Sequence, residues 1–107
     1  MFTKNNIRNF KSLIDGVKMR PLVWETKTLL CEFQLEKGYL IPPHQHPYEQ
    51  TGTLVSGKLN FRIGENWQFA EPGDSWSIPE NVEHEVEILK NSVVLELFSP
   101  IRNDYLP

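Results

Sequence analysis

The sequence predicts an all-β fold, an antiparallel sandwich or barrel around one core. Three observations lead there. Apolar and polar residues alternate with period two in several separate stretches, each stretch is short and ends in Gly, Pro, Asn or Asp, and no helical period runs through any of them. At 107 residues the chain is one domain, long enough to bury a core of ordinary size.

Composition narrows the function classes. Hydrophobic residues at 39% and charged residues at 23% describe a globular chain rather than a disordered one. A net charge of −3, with the basic residues scattered, argues against a nucleic-acid surface, since phosphate binding needs clustered Lys and Arg. No apolar run is long enough to cross a bilayer as a helix. The lone Cys31 excludes an internal disulfide and no signal sequence opens the chain, so the cytoplasm is the expected compartment.

Residues 1–20 mix Lys, Arg and Asn with spaced Phe2, Ile7, Phe10, Leu13 and Ile14. They fit an irregular N-terminal arm or a helical turn, and an arm here would cover a sheet edge that could otherwise template aggregation. From Pro21 to Glu36 the pattern is of strands, with Asp15-Gly16 and Lys37-Gly38 as the flanking turns. Leu29, Cys31, Phe33 and Leu35 alternate with Leu30, Glu32, Gln34 and Glu36, as expected of a sheet buried on one face. Cys31 falls in the buried row and reads as a small core residue.

Gly38 to Gly57, GYLIPPHQHPYEQTGTLVSG, comes next. Pro42, Pro43 and Pro47 favour extended backbone, and extension sends His44 and His46 to the same side. Ser56-Gly57 reads as a break. Leu59, Phe61 and Ile63 then alternate with Lys58, Asn60 and Arg62, and Gly64-Glu65-Asn66 turns the chain into a hairpin whose returning strand begins with Trp67 and Phe69. After Pro72-Gly73-Asp74, Trp76 and Ile78 alternate with Ser75 and Ser77. After Pro79-Glu80-Asn81, Val82, His84, Val86 and Ile88 alternate with Glu83, Glu85 and Glu87, so His84 points inward. A last strand, Val93 to Phe98, closes at Ser99-Pro100 and is apolar on both faces except at Glu96, which shares its face with Val94 and Phe98.

All three histidines thus fall where they can face one interior, with Gln50 four residues after His46. Imidazole nitrogens and an amide oxygen suit borderline divalent metals such as zinc, nickel, iron or manganese. An HxH pair alone is a weak signal. Glu96 is a second pointer, because a carboxylate in an apolar strand is costly to bury unless it is paired or functional; its alternative is a strand edge facing water. Arg102 reads equally as a surface charge or a clamp for a substrate carboxylate. Phe98 reads as core. Trp24, Trp67 and Trp76 read as core or interface before they read as platforms for a sugar.

The spacing of these residues resembles the cupin superfamily. Gly38, five residues, His44-Gln45-His46, three residues, Gln50, six residues and Gly57 follow the first cupin motif, with glutamine where an acidic ligand is usual. Gly73, Pro79 and His84 follow the second, with Asn81 where glycine is usual and Ile88 where asparagine is common. The resemblance implies a single cupin domain over residues 21–107, a double-stranded β-helix or jelly roll, holding one divalent metal through His44, His46, Gln50 and His84. Four neutral ligands would leave a charge of about two on such a centre, which favours acidifying a bound hydroxyl and attracting an anion over stabilising higher oxidation states.

HQHPYEQ together with ELFSPIRNDYL is similar, more narrowly, to pectin-degradation cupins of the KdgF type, which linearise 4,5-unsaturated uronates. That likeness implies a small anionic sugar acid as substrate and a homodimer, the latter also suggested by the apolar faces of the last strand. It implies Glu96 and Arg102 as catalytic residues, and Phe98 and Arg102 as substrate contacts, with Glu96 standing where the family has aspartate. A non-catalytic binding cupin that serves as a sensor or store is the alternative, and a metal-dependent dioxygenase a third.

Overall fold

Eight strands and one 3-10 turn carry the chain in the computed structural model, which describes residues 1–107. They are β1 (Lys11–Ile14), β2 (Val17–Trp24), β3 (Leu29–Leu35), β4 (Leu40–His44), β5 (Glu49–Ile63), β6 (Asn66–Ala70), β7 (Ser75–Ile78) and β8 (His84–Ser99), followed by the turn Asn103–Tyr105. Every pairing is antiparallel. The fold is the expected all-β barrel, and no helix is long and apolar enough to cross a membrane.

Two long strands organise the barrel, because β5 and β8 pair along most of their length and each contributes to both halves. The C-terminal half of β8 lies between β3 and the N-terminal half of β5, extending one half through β2 to β1 and, past β5, to β7. The N-terminal half of β8 lies between β4 and the C-terminal half of β5, which also carries β6. Inward rows from both halves make one core: Val17 and Met19, the expected row Leu29, Cys31, Phe33 and Leu35, then Leu59 and Phe61, Val86 and Ile88, and Val94 and Phe98.

Three expectations change. Residues 1–20 are not all arm: Lys11–Ile14 and the start of β2 are strands, joined by the foreseen Asp15-Gly16 turn, and β1 forms the edge of the sheet. Alternation was hidden there because β1 is exposed on both faces except at Leu13. Ser56-Gly57 is not a break, since β5 runs through it with irregular register between Leu54 and Leu59. The two strands expected over Val82–Phe98 are likewise one, β8, opposite that irregularity.

Gly57 explains why the chain can bend without ending a strand. Its φ of 103° belongs to glycine, and a Cβ would fall 2.6 Å from both the Asn91 carbonyl oxygen and Ser92 Cα. Ser92 Oγ accepts from the Lys58 N–H at 3.1 Å and donates to the Lys90 carbonyl at 2.7 Å, satisfying groups that the irregular ladder leaves unpaired.

Candidate metal centre and adjoining cavity

The histidines meet at one end of the barrel. His44 ends β4 and pairs in register with His84, the first residue of β8, while His46 follows β4 on an extended segment and is buried there. The second turn region fastens this segment: the Asn81 N–H donates to the His46 carbonyl at 2.8 Å. Asn81 has φ of 61°, a left-handed conformation that asparagine tolerates, which is why it can stand where cupins commonly carry glycine. One ring nitrogen from each histidine lies within 4.8 Å of the others.

The hydrogen bonds decide how these rings are prepared. Nδ1 of His44 lies 2.8 Å from the Pro42 carbonyl, that of His46 3.2 Å from the Tyr48 carbonyl, and that of His84 2.9 Å from the Val82 carbonyl. A carbonyl only accepts, so Nδ1 of His44 and of His84 carries the proton and their Nε2 keeps its lone pair, whereas His46 faces an accepting oxygen on each nitrogen. Nε2 of His84 is buried without a partner. Nε2 of His46 faces Gln50 Oε1 at 3.0 Å. A neutral His46 cannot satisfy both neighbouring carbonyl oxygens, and burial together with the nearby Arg102 and His44 charges holds its pKa down. Burial lowers that of His84 to about 4. An orphaned inward lone pair on His84 and a His46 ring whose two nitrogens cannot both be satisfied by accepting oxygens are arrangements that a divalent cation relieves, so the residues present fit a metal.

Beside the histidines a cavity of about 280 Å³ runs into the barrel, sized for a small molecule. His44, His84, Gln50 and Glu96 supply its polar atoms, and the remaining wall is mostly apolar, including Phe61, Trp76, Val94 and Phe98. Glu96 is buried on the inward row of β8, not on a wet edge. Its Oε1 accepts from the Trp76 indole at 3.0 Å, while Oε2 has no hydrogen-bond partner. Burial pushes its pKa up to about 8, although the Gln50 amide and the Trp76 N–H pull it back.

Phe98 lines the cavity and packs edge-on to His46, with ring centroids 6.0 Å apart. Arg102 sits differently from the expectation of a free clamp. Its guanidinium lies 3.8 Å from the Tyr105 ring centroid, also contacts Tyr48 and Phe98, and donates to Asp104 at 2.9 Å. It adjoins the cavity without lining it. Tyr105 and Asp104 were not singled out by sequence, and Trp76 was read as core or interface rather than as a partner of Glu96.

Comparison with known proteins agrees with this geometry. The chain is 27% identical over 99 residues to the pectin degradation protein KdgF of Dickeya dadantii (strain 3937), covering 91% of this chain and 90% of that one. The structure of KdgF from Halomonas sp. superposes with a TM-score of 0.92 at 25% identity, over 99% of this chain and 98% of that one. An RmlC-like cupin from Shewanella frigidimarina also gives 0.92, at 21% identity over 98% and 95% of the two chains, a likeness of fold. The cupin domain model matches residues 31–99, more than half of the chain, and the protein belongs to the cupin family.

Proposed function

We propose that this protein is a metal-dependent cupin that converts an unsaturated or cyclic uronate to its linear keto form. The observation that carries this reading is a three-histidine cluster, His44, His46 and His84, with Gln50 against His46, opening on a single small cavity that His44, His84 and Gln50 line together with one buried carboxylate, Glu96. Its support from relatives is the likeness to KdgF over nearly the whole chain. His44, His46, His84 and Gln50 would hold the metal, which when bound polarises substrate oxygens and acidifies a coordinated hydroxyl. Zinc, nickel, iron and manganese all accept this donor set.

The chemistry asked of the protein is an isomerisation, in which the proton on the anomeric hydroxyl leaves, the bond from the anomeric carbon to the ring oxygen breaks, and the resulting enol takes a proton on carbon to become a ketone. Nothing is gained or lost overall. One group that accepts and returns a proton is enough, and Glu96 is that group, desolvated and half-satisfied beside the cavity. Phe98 gives an apolar wall. Arg102 binds the substrate carboxylate by exchanging it for Asp104, with the aromatic rings keeping the guanidinium in place meanwhile. A homodimer belongs to the same reading: Leu30 and Leu97 are cross-strand neighbours on the outer face, Leu97 37% exposed, and sedimentation as a single chain would contradict it.

The test is direct. Metal-loaded protein should accelerate the loss of absorbance and of ring-proton NMR signals from 4,5-unsaturated galacturonate, and decay at the uncatalysed rate would overturn the proposal. Glu96→Gln should abolish turnover with metal content intact. The mostly apolar wall and the Asp104-paired Arg102 favour a second reading, a non-catalytic binding cupin, under which Glu96→Gln leaves ligand affinity nearly unchanged.

A further inference from the structure

Trp76 and Glu96 meet across a strand. β7 and β8 flank β5, and Gly52 of β5 is in register with Trp76 on one side and Glu96 on the other. Strands are spaced so that residues two strands apart lie about 10 Å apart at the backbone, and the side chain of the middle residue normally separates them. Here there is none. A Cβ on Gly52 would lie 2.5 Å from Trp76 Nε1 and would overlap Glu96 Oε2, so the indole and the carboxylate occupy the space of the missing side chain. They join there by a 3.0 Å hydrogen bond to Oε1.

We propose that Trp76 is a positioning residue for Glu96: it engages Oε1 over the gap left by Gly52, fixing the carboxyl rotamer and leaving Oε2 as the oxygen that exchanges the proton. The inference rests on the uronate reading for its catalytic meaning and on the register of three strands for its geometry. A glutamate has one more rotatable bond than an aspartate, so without a partner its carboxyl group samples several orientations beside the cavity. The Trp76 ring is itself fixed, packed against Phe61 with centroids 4.9 Å apart. Oε2 is buried with no hydrogen-bond partner. The oxygen that lacks a partner inside the protein is the one available to a substrate proton.

Trp76→Phe keeps an aromatic ring against Phe61 but removes the N–H together with the pyrrole part of the indole. It should lower kcat on the unsaturated uronate about tenfold while KM stays within about twofold and metal content is unchanged. Gly52→Ala, which fills the gap, should also lose kcat, and adding Glu96→Asp to it should recover part of the loss by withdrawing the carboxylate. In wild-type protein the Trp76 indole N–H resonance should be protected from exchange and should move in Glu96→Gln. Unchanged kcat in Trp76→Phe, or full kcat in Gly52→Ala, overturns the positioning role. An indole resonance indifferent to Glu96→Gln overturns the contact itself. If the wild type fails to turn over the uronate, the functional reading falls, and the NMR comparison still decides whether Trp76 holds Glu96.

Discussion

At the scale of single residues, the histidine rings carry a cost that a cation removes. His84 Nε2 is buried and unpartnered, and His46 Nε2 opposes Gln50 Oε1, so without a metal the polar groups at this end of the barrel are imperfectly satisfied. Metal present at a hundred times its Kd adds about 2.7 kcal/mol, or roughly 10–20 °C in Tm for a domain of this size. Calorimetry should therefore show a drop of that order when a chelator is added to the wild type and none in His84→Ala. Cys31 is the opposite kind of residue. It is fully buried, and desolvation pushes its thiol from 9.0 up to about 12. The folded chain keeps its proton where the unfolded chain loses it, so the stability linked to this thiol is whole below pH 9 and is lost as pH rises towards 12. Native protein at pH 8 should leave a disulfide reagent such as DTNB unreacted, and denatured protein should consume one equivalent.

At the scale of elements, the bend shared by β5 and β8 matters more than any one strand, because it lets two strands serve both halves of the barrel. Gly57→Ala would impose a side chain on a backbone at φ 103° and press it against Asn91 and Ser92. Strain and overpacking together should cost about 2–4 kcal/mol, read as a lower denaturation midpoint with little change in slope. The same bend limits what sequence could reveal. Ser56-Gly57 has the composition of a turn, and only the long-range pairing of Lys58 with Lys90 and Ser56 with Val93 makes it a bend within a continuous strand. β3 was legible residue by residue because one of its faces is buried and the other wetter. β1 was not, being short and almost wholly exposed, so its pairing with β2 depends on main-chain bonds that leave no mark on residue type.

At the scale of the whole molecule, the ligand spacing and the inward aim of His84 were readable, since His84 lies in a row of clear alternation, whereas the strand around Glu96 is apolar on both faces and left its side open. The Trp76–Glu96 contact and the pairing of Arg102 with Asp104 were not, because the first needs the register of three strands and the second a turn beyond the sheet. The same architecture decides where a metal would act mechanically. His44 comes from β4, His84 from the start of β8 and Gln50 from the other half of the barrel on β5, so a cation held by them joins β4 to β5, which the ladder connects only through β8. β4 is the weakest of these, pairing only with β8 through a register that shifts between Ile41 and His44, and Pro42 and Pro43 donate no hydrogen bonds to it. Local opening should begin there when the metal is removed. Amide exchange at Ile41, His44, Glu85 and Val86 should quicken by about tenfold or more on chelation, while the paired Met19 and Phe33 of β2 and β3, strands that supply no ligand, should hold their rates. Uniform quickening across both regions would mean that the metal stabilises the barrel as one cooperative unit rather than pinning β4 to it.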